Sequence, residues 1–244
     1  MRGFWNIDTP LSVLLSPLLV GQLLWVRRHA IQMHEPRGPR RGAIGAGPKR
    51  SLLILGDSSA VGVGVDTQAQ ALGPQLAAHL GDHFHLRWTL CGKNGATSAD
   101  QHELLAGVVG QRFDLAYVIL GVNDAKNLRP VWAWQRDLVA LIDILRRNHK
   151  VQEIVFSGLP RVEDFPLLPR PLRSILAMRT RRFDAKLREV AQRQGCHVAP
   201  LAQVKLDRAG MAPDGFHPGA PIYATWADLA AQFLRPILAA LNSG

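Results

Sequence analysis

The sequence predicts an α/β protein, a three-layer α/β/α sandwich around a parallel sheet of five strands. Two observations point there. Short apolar runs alternate along the chain with longer stretches of helical pattern, and that alternation implies parallel strands joined by right-handed crossovers. The chain has 244 residues, 47% of them apolar, enough for one ordinary α/β domain and an appendage and enough to bury a sheet between helices.

The elements follow in order. Strands are expected at Ser51–Leu55, His85–Leu90, Leu115–Leu120, Glu153–Ser157 and Cys196–Ala199. Helical stretches fall between and after them, at about 68–80, 98–107, 131–148, 175–194 and 221–241. Phe165-Pro-Leu-Leu-Pro-Arg-Pro-Leu-Arg173 interrupts the pattern. Its three prolines exclude a regular helix or a central strand. The alternatives for it are a loop packed on the following helix and a semi-rigid lid. As a lid, Phe165 and Leu168 would bind substrate as the wall of an acyl pocket, with Arg170 and Arg173 at the rim.

In open α/β sheets, sites form at the carboxyl ends of the strands. Ser58, Gly95 and Asn123 each lie one to five residues past a predicted strand end. Near the carboxyl end of the chain, Asp214-Gly-Phe-His217-Pro218 adds a carboxylate and an imidazole three residues apart. A serine hydroxyl becomes a competent nucleophile when an imidazole takes its proton, and a carboxylate fixes the imidazole tautomer. A backbone N–H and a side-chain amide are the donors that a tetrahedral oxyanion needs. A phosphate-cradling reading of Gly56-Asp57-Ser58 fails, because neither a Lys-Ser/Thr ending nor a Gly-x-Gly-x-x-Gly frame follows. A Gly-x-Ser-x-Gly elbow is also absent, which excludes an ordinary α/β-hydrolase.

Four blocks in order resemble those of the SGNH (GDSL-type) hydrolases: Gly56-Asp57-Ser58, Asn94-Gly95-Ala-Thr, Gly121-Val122-Asn123-Asp124 and Asp214-Gly-Phe-His217-Pro218. The resemblance covers residues 51–218. It implies a flavodoxin-like fold with its five strands in the order 2-1-3-4-5. It also implies Ser58, Asp214 and His217 as catalytic residues, with Ser58, Gly95 and Asn123 forming the oxyanion hole. In the second block Gly92 competes with Gly95, which is preferred because Ala-Thr-Ser-Ala-Asp follows it and can open a helix. The implied activity is hydrolysis of a lipid-like or small acyl ester, needing no metal and no cofactor. An acyltransferase or a carbohydrate O-acetyl esterase would use the same residues, and a membrane-tethered binding module with a decayed site is a third alternative.

Charge and cysteines bound the partners. The net charge is +10, and residues 1–50 hold eight Lys/Arg against two acids, leaving 21 against 17 for the rest. No aromatic-basic nucleic-acid motif appears in residues 51–244, so nucleic acid is not an expected partner. His79, His83 and His85 are expected as solvated histidines and not as metal ligands, and Cys91 and Cys196 fit neither a metal site nor a disulfide framework. With those cysteines flanking opposite edge strands of the 2-1-3-4-5 order, both are expected as free thiols.

Residues 1–34 are expected to form an apolar N-terminal helix, residues 35–49 a Pro/Gly/Arg linker, and residues 50–244 the catalytic domain. Pro10 to Val26 is a 17-residue uncharged run between tryptophans, short for a membrane span of about 20 residues. The favoured reading is membrane contact through residues 5–28, as an anchor or interfacial helix with Trp5 and Trp25 at the headgroup level. The basic stretch from Arg27 to Arg50 would then hold the catalytic domain on the cytoplasmic side. The alternative is a helix packed on the catalytic domain.

Overall fold

The computed structural model describes residues 16–29, 31–201, 204, 206 and 208–241. Six strands form one sheet: β1 (Arg41–Ile44), β2 (Lys49–Gly56), β3 (His85–Gly92), β4 (Leu115–Ile119), β5 (Glu153–Ser157) and β6 (His197–Ala199). The sheet order is β1-β3-β2-β4-β5-β6. The strands β2 to β6 are all parallel and run in the expected 2-1-3-4-5 order, and β1 adds an antiparallel edge to β3. Leu52, Leu53, Ile54 and Leu55 on β2 are fully buried, as an uninterrupted apolar run covered on both faces requires.

The helices are α1 (Ser16–His29), α2 (Ser58–Val61), α3 (Leu72–Gly81), α4 (Gln101–Leu105), α5 (Val122–Lys126), α6 (Val131–His149), α7 (Leu172–Arg193) and α8 (Ala220–Ala240). Helix α3 packs on α8, and α6 packs on α7 with Trp134 and Phe183 ring centroids 4.6 Å apart, giving the two helical layers. Cys91 on β3 and Cys196 beside β6 are both free thiols.

The expected linker is instead part of the fold. Backbone groups on the outer edge of β3 need partners, and β1 supplies them, pairing Arg41 with Thr89 through Ile44 with Leu86. The glycines that suggested flexibility serve a tight connection to β2. Gly45 has φ +81°, and a Cβ there would meet the Gly81 carbonyl oxygen at 2.0 Å.

Residues 10–15 of the apolar N-terminal run, and Trp5, lie outside the described residues. The remainder forms α1, whose 14 residues rise only about 21 Å. No helix among the described residues is long and apolar enough to cross a membrane. Helix α1 rests on the chain leading into α7, where the Gln22 side chain donates to the Arg170 carbonyl at 2.5 Å and accepts from Leu172 N–H at 3.0 Å. This contact corresponds to the packed-helix alternative, and the spanning arrangement finds no support in it.

Candidate active site

Ser58 begins α2 directly after β2, and three features fix it there. Asp57 N–H donates to the Ile119 carbonyl of β4 at 3.1 Å, anchoring the turn to the sheet. The Asp57 carboxylate caps α2 by accepting from Ser59 N–H at 3.0 Å. As the first residue of α2, Ser58 has an N–H with no partner inside the helix. Burial is the main influence on Asp57 and pushes its carboxyl up to about 6, against the Ser59 hydrogen bond and attraction to His217 and Lys126.

Asp214 and His217 meet in the loop before α8. His217 Nδ1 lies 2.5 Å from Asp214 Oδ2, while Asp214 Oδ1 accepts from the N–H groups of Phe216 and His217 at 3.0 Å each. Burial alone would raise the Asp214 carboxyl, but the hydrogen bonds from the His217 ring, His217 N–H and Phe216 N–H prevail and hold it below its ordinary value. The carboxylate is therefore ionised at neutral pH and orients the ring, leaving Nε2 as the free imidazole nitrogen.

Gly95 lies in the loop after β3, which Asn123 touches from α5; Asn123 lines the cavity beside Ser58, and Gly95 is not among its lining residues. Ala96 N–H closes a turn on the Lys93 carbonyl at 3.1 Å, and Gly95 has φ +81° with its backbone exposed. Asn123 on α5 is buried and donates one amide N–H to the Ala96 carbonyl at 3.0 Å, which leaves its second amide hydrogen for another acceptor. Gly92 has a packing role. A Cβ there would meet the Gly56 carbonyl oxygen at 2.7 Å, because the two glycines sit opposite each other where β2 and β3 end.

Ser58, Asn123 and His217 line one cavity of about 630 Å³, counting its open mouth. Its walls are otherwise mostly apolar: Ile119, Leu159, Phe165, Leu201, Leu206, Met211, Phe216 and Trp226. The arrangement places a hydroxyl, a carboxylate-oriented imidazole and an amide donor around one space. The profile of the GDSL-like lipase/acylhydrolase family matches residues 54–225, well over half of the chain.

The chain belongs to that family.

A GDSL-like esterase of Mycobacterium tuberculosis is 29% identical over 198 residues, an alignment covering 77% of this chain and 62% of that protein. The chain thus covers less than two thirds of this curated relative. A lipase/acylhydrolase from Enterococcus faecalis superposes with a TM-score of 0.60 at 19% identity, over 78% of this chain and 97% of the other. An acetylxylan esterase from Geobacillus stearothermophilus gives 0.56 at 20% identity, over 80% and 95%. Structural likeness at such identities speaks for the fold alone.

For this GDSL-family chain, the sequence reading of the remaining residues needs adjustment. Phe165 lines the cavity and packs edge-on against Phe216, with centroids 5.1 Å apart, and Phe216 in turn packs edge-on against the His217 ring at 5.2 Å. Leu168 is buried in the hydrophobic core and is not among the lining residues. Arg173 turns back to donate to the Leu168 carbonyl at 2.6 Å and the Pro166 carbonyl at 3.3 Å, so it fastens the segment instead of edging the cavity. Leu167 N–H to the Gly215 carbonyl, 3.1 Å, ties the same segment to the Asp214–His217 loop.

Asp124 braces the loop after β3. It is fully buried and accepts from Ser98 N–H at 3.1 Å and Ser98 Oγ at 2.7 Å, pinning the loop that carries Gly95. Burial raises its carboxyl, against the Ser98 hydrogen bonds. Its position beside Asn123 in the third block was the available signal. Leu201, Leu206, Met211 and Trp226 carried none, because they come from an irregular segment and an ordinary helix.

Proposed function

We propose that the protein is a serine hydrolase of acyl esters, with Ser58 as nucleophile, His217 as general base and acid, and Asp214 as the orienting carboxylate. The observation that carries this reading is the 2.5 Å contact of His217 Nδ1 with Asp214 on a cavity that Ser58 also lines. In the proposed reaction Ser58 Oγ bonds to the ester carbonyl carbon and its proton passes to His217 Nε2. The N–H groups of Ser58 and Gly95 and the free amide hydrogen of Asn123 receive the oxyanion. Collapse of the intermediate expels the alcohol, which takes the proton from His217. Water then enters by the same route, giving its proton to His217 and releasing the acid and the serine.

The apolar lining suits the acyl portion of the ester. The substrate class is accordingly a lipid-like or other small acyl ester. The test is labelling of the native protein by a fluorophosphonate, together with hydrolysis of p-nitrophenyl esters of increasing chain length. Ser58→Ala and His217→Ala should each remove nearly all hydrolysis with the fold intact, because triad members act as a unit. Activity above a few per cent in either variant, or labelling that persists in Ser58→Ala, would overturn the assignment.

A further inference from the structure

The loop that carries Gly95 is held from both sides. On one side, Asn123 and Asp124 of α5 grip Ala96 and Ser98. On the other, the grip comes from residues that precede the family-matched region, which begins at residue 54. Glu35 Oε1 accepts from Asn94 N–H at 2.7 Å, and its other oxygen pairs with the Arg40 guanidinium. Arg40 Nη1 donates to the Gly92 carbonyl at 3.3 Å, and the Arg40 carbonyl accepts from Leu90 N–H at 2.7 Å.

We propose that Glu35 and Arg40 form a latch that positions the Gly95 N–H for the oxyanion, making Glu35 a positioning residue of the hydrolase. This rests on the reading of Gly95 given above. The Gly95 N–H lies in the exposed Lys93–Ala96 turn, where nothing packs on Gly95 itself, so its position follows wherever the two ends of that turn are held. Oxyanion stabilisation depends on donors already aimed before charge develops. Holding Asn94 N–H and the Gly92 carbonyl on one side, and the Ala96 carbonyl and Ser98 on the other, fixes both ends of the turn and with them the place of the Gly95 N–H. Arg40 has a second effect. A lone carboxylate one residue from Gly95 would oppose a developing negative charge, and the guanidinium offsets it.

The experiment compares Glu35→Ala, Glu35→Gln, Arg40→Ala and the double alanine variant in the full chain, with Ser58→Ala as reference. Glu35→Ala should lower kcat about 10- to 100-fold, the scale of a misplaced catalytic group, with KM little changed. Glu35→Gln keeps an oxygen for Asn94 N–H and should recover most of that loss. Glu35→Ala and Arg40→Ala should be non-additive in kcat, because they disable one device. Thermal melting of every variant separates positioning from folding. Wild-type kcat in Glu35→Ala, equal losses in the Ala and Gln variants, or additive losses would each overturn the latch. If Ser58→Ala retains full activity, the hydrolase assignment itself fails, an outcome distinct from those three.

Discussion

Replacing Asp57 with Asn should stabilise the protein at neutral pH and have little effect near pH 4. The carboxyl is 4% exposed, and burial raises it from 3.8 to about 6, with the Ser59 hydrogen bond, His217 and Lys126 pulling the other way. Because the folded value exceeds the unfolded one, the folded state retains a proton between pH 4 and 6 that the unfolded chain has released. Stability therefore falls as pH rises through that window, and the full penalty is present above pH 6. Raising the carboxyl from 3.8 to about 6 corresponds to roughly 3 kcal/mol. Asparagine keeps an oxygen for Ser59 N–H, so the cap on α2 survives. Urea denaturation of both proteins at intervals from pH 4 to 7.5 measures the difference directly. The variant's advantage should grow from near zero to roughly 2–3 kcal/mol across pH 4–6 and then level off. A difference that does not vary with pH, or a variant less stable than wild type at pH 7, would refute the reasoning. If His217 is the general base as proposed, the same substitution should also lower the rate of ester hydrolysis, since a negative Asp57 favours an imidazolium at His217. Stability would then have been given up for activity at this position.

Asn123→Ala should lower kcat by roughly 10²–10³ with less change in KM, as for a lost oxyanion donor. A raised KM with normal kcat in steady-state assays would mean that Asn123 binds substrate instead. Phe165→Ala should reduce kcat/KM for long-chain p-nitrophenyl esters more than for acetyl esters, because its ring lines the cavity. Leu168→Ala should leave chain-length preference unchanged and cost roughly 2–5 kcal/mol of unfolding free energy as a core truncation. The reverse pattern would place the acyl wall at Leu168.

The strands legible in the sequence were those whose burial on both faces demands unbroken apolar runs. Glu153–Ser157 begins and ends where expected, and Ser51–Leu55 gains only two residues before it and one after. Strand β1 was illegible for the opposite reason. It is an exposed edge strand of Arg, Gly, Ala and Ile, so neither alternation nor burial marks it, and its glycines mimic a linker. Helices α2 and α5, with four and five residues, are too short to show a helical period. At the site, Ser58, His217 and Asn123 stood out because their chemistry is tied to local blocks. Glu35 did not, since it acts on a loop 59 residues away in sequence and only the fold brings them together, while Asp124 was marked only by its place beside Asn123. The Pro-rich segment was half legible. Its prolines announced an irregular path after β5, yet an irregular path has no period from which to read that Phe165 and not Leu168 lines the cavity.

The cavity's wall and the His217 ring are not independent parts. Phe165 stacks edge-on with Phe216, and Phe216 stacks edge-on with His217, its neighbour in the chain. Asp214 fixes the N–H groups of both Phe216 and His217, so one carboxylate orients the wall and the imidazole together. Deeper in, Trp226 is held by its Nε1–H to the Tyr117 hydroxyl at 3.0 Å, which fixes the indole as a rigid surface of the cavity. Under the proposed function, an acyl chain entering this space meets a fixed indole and a wall hinged to the Asp214–His217 loop. A poorly filled pocket would leave the Phe165–Phe216 pair loose, and with it the His217 ring. Chain length should then register in kcat as well as in KM, because binding energy at the wall is used to hold the base in place.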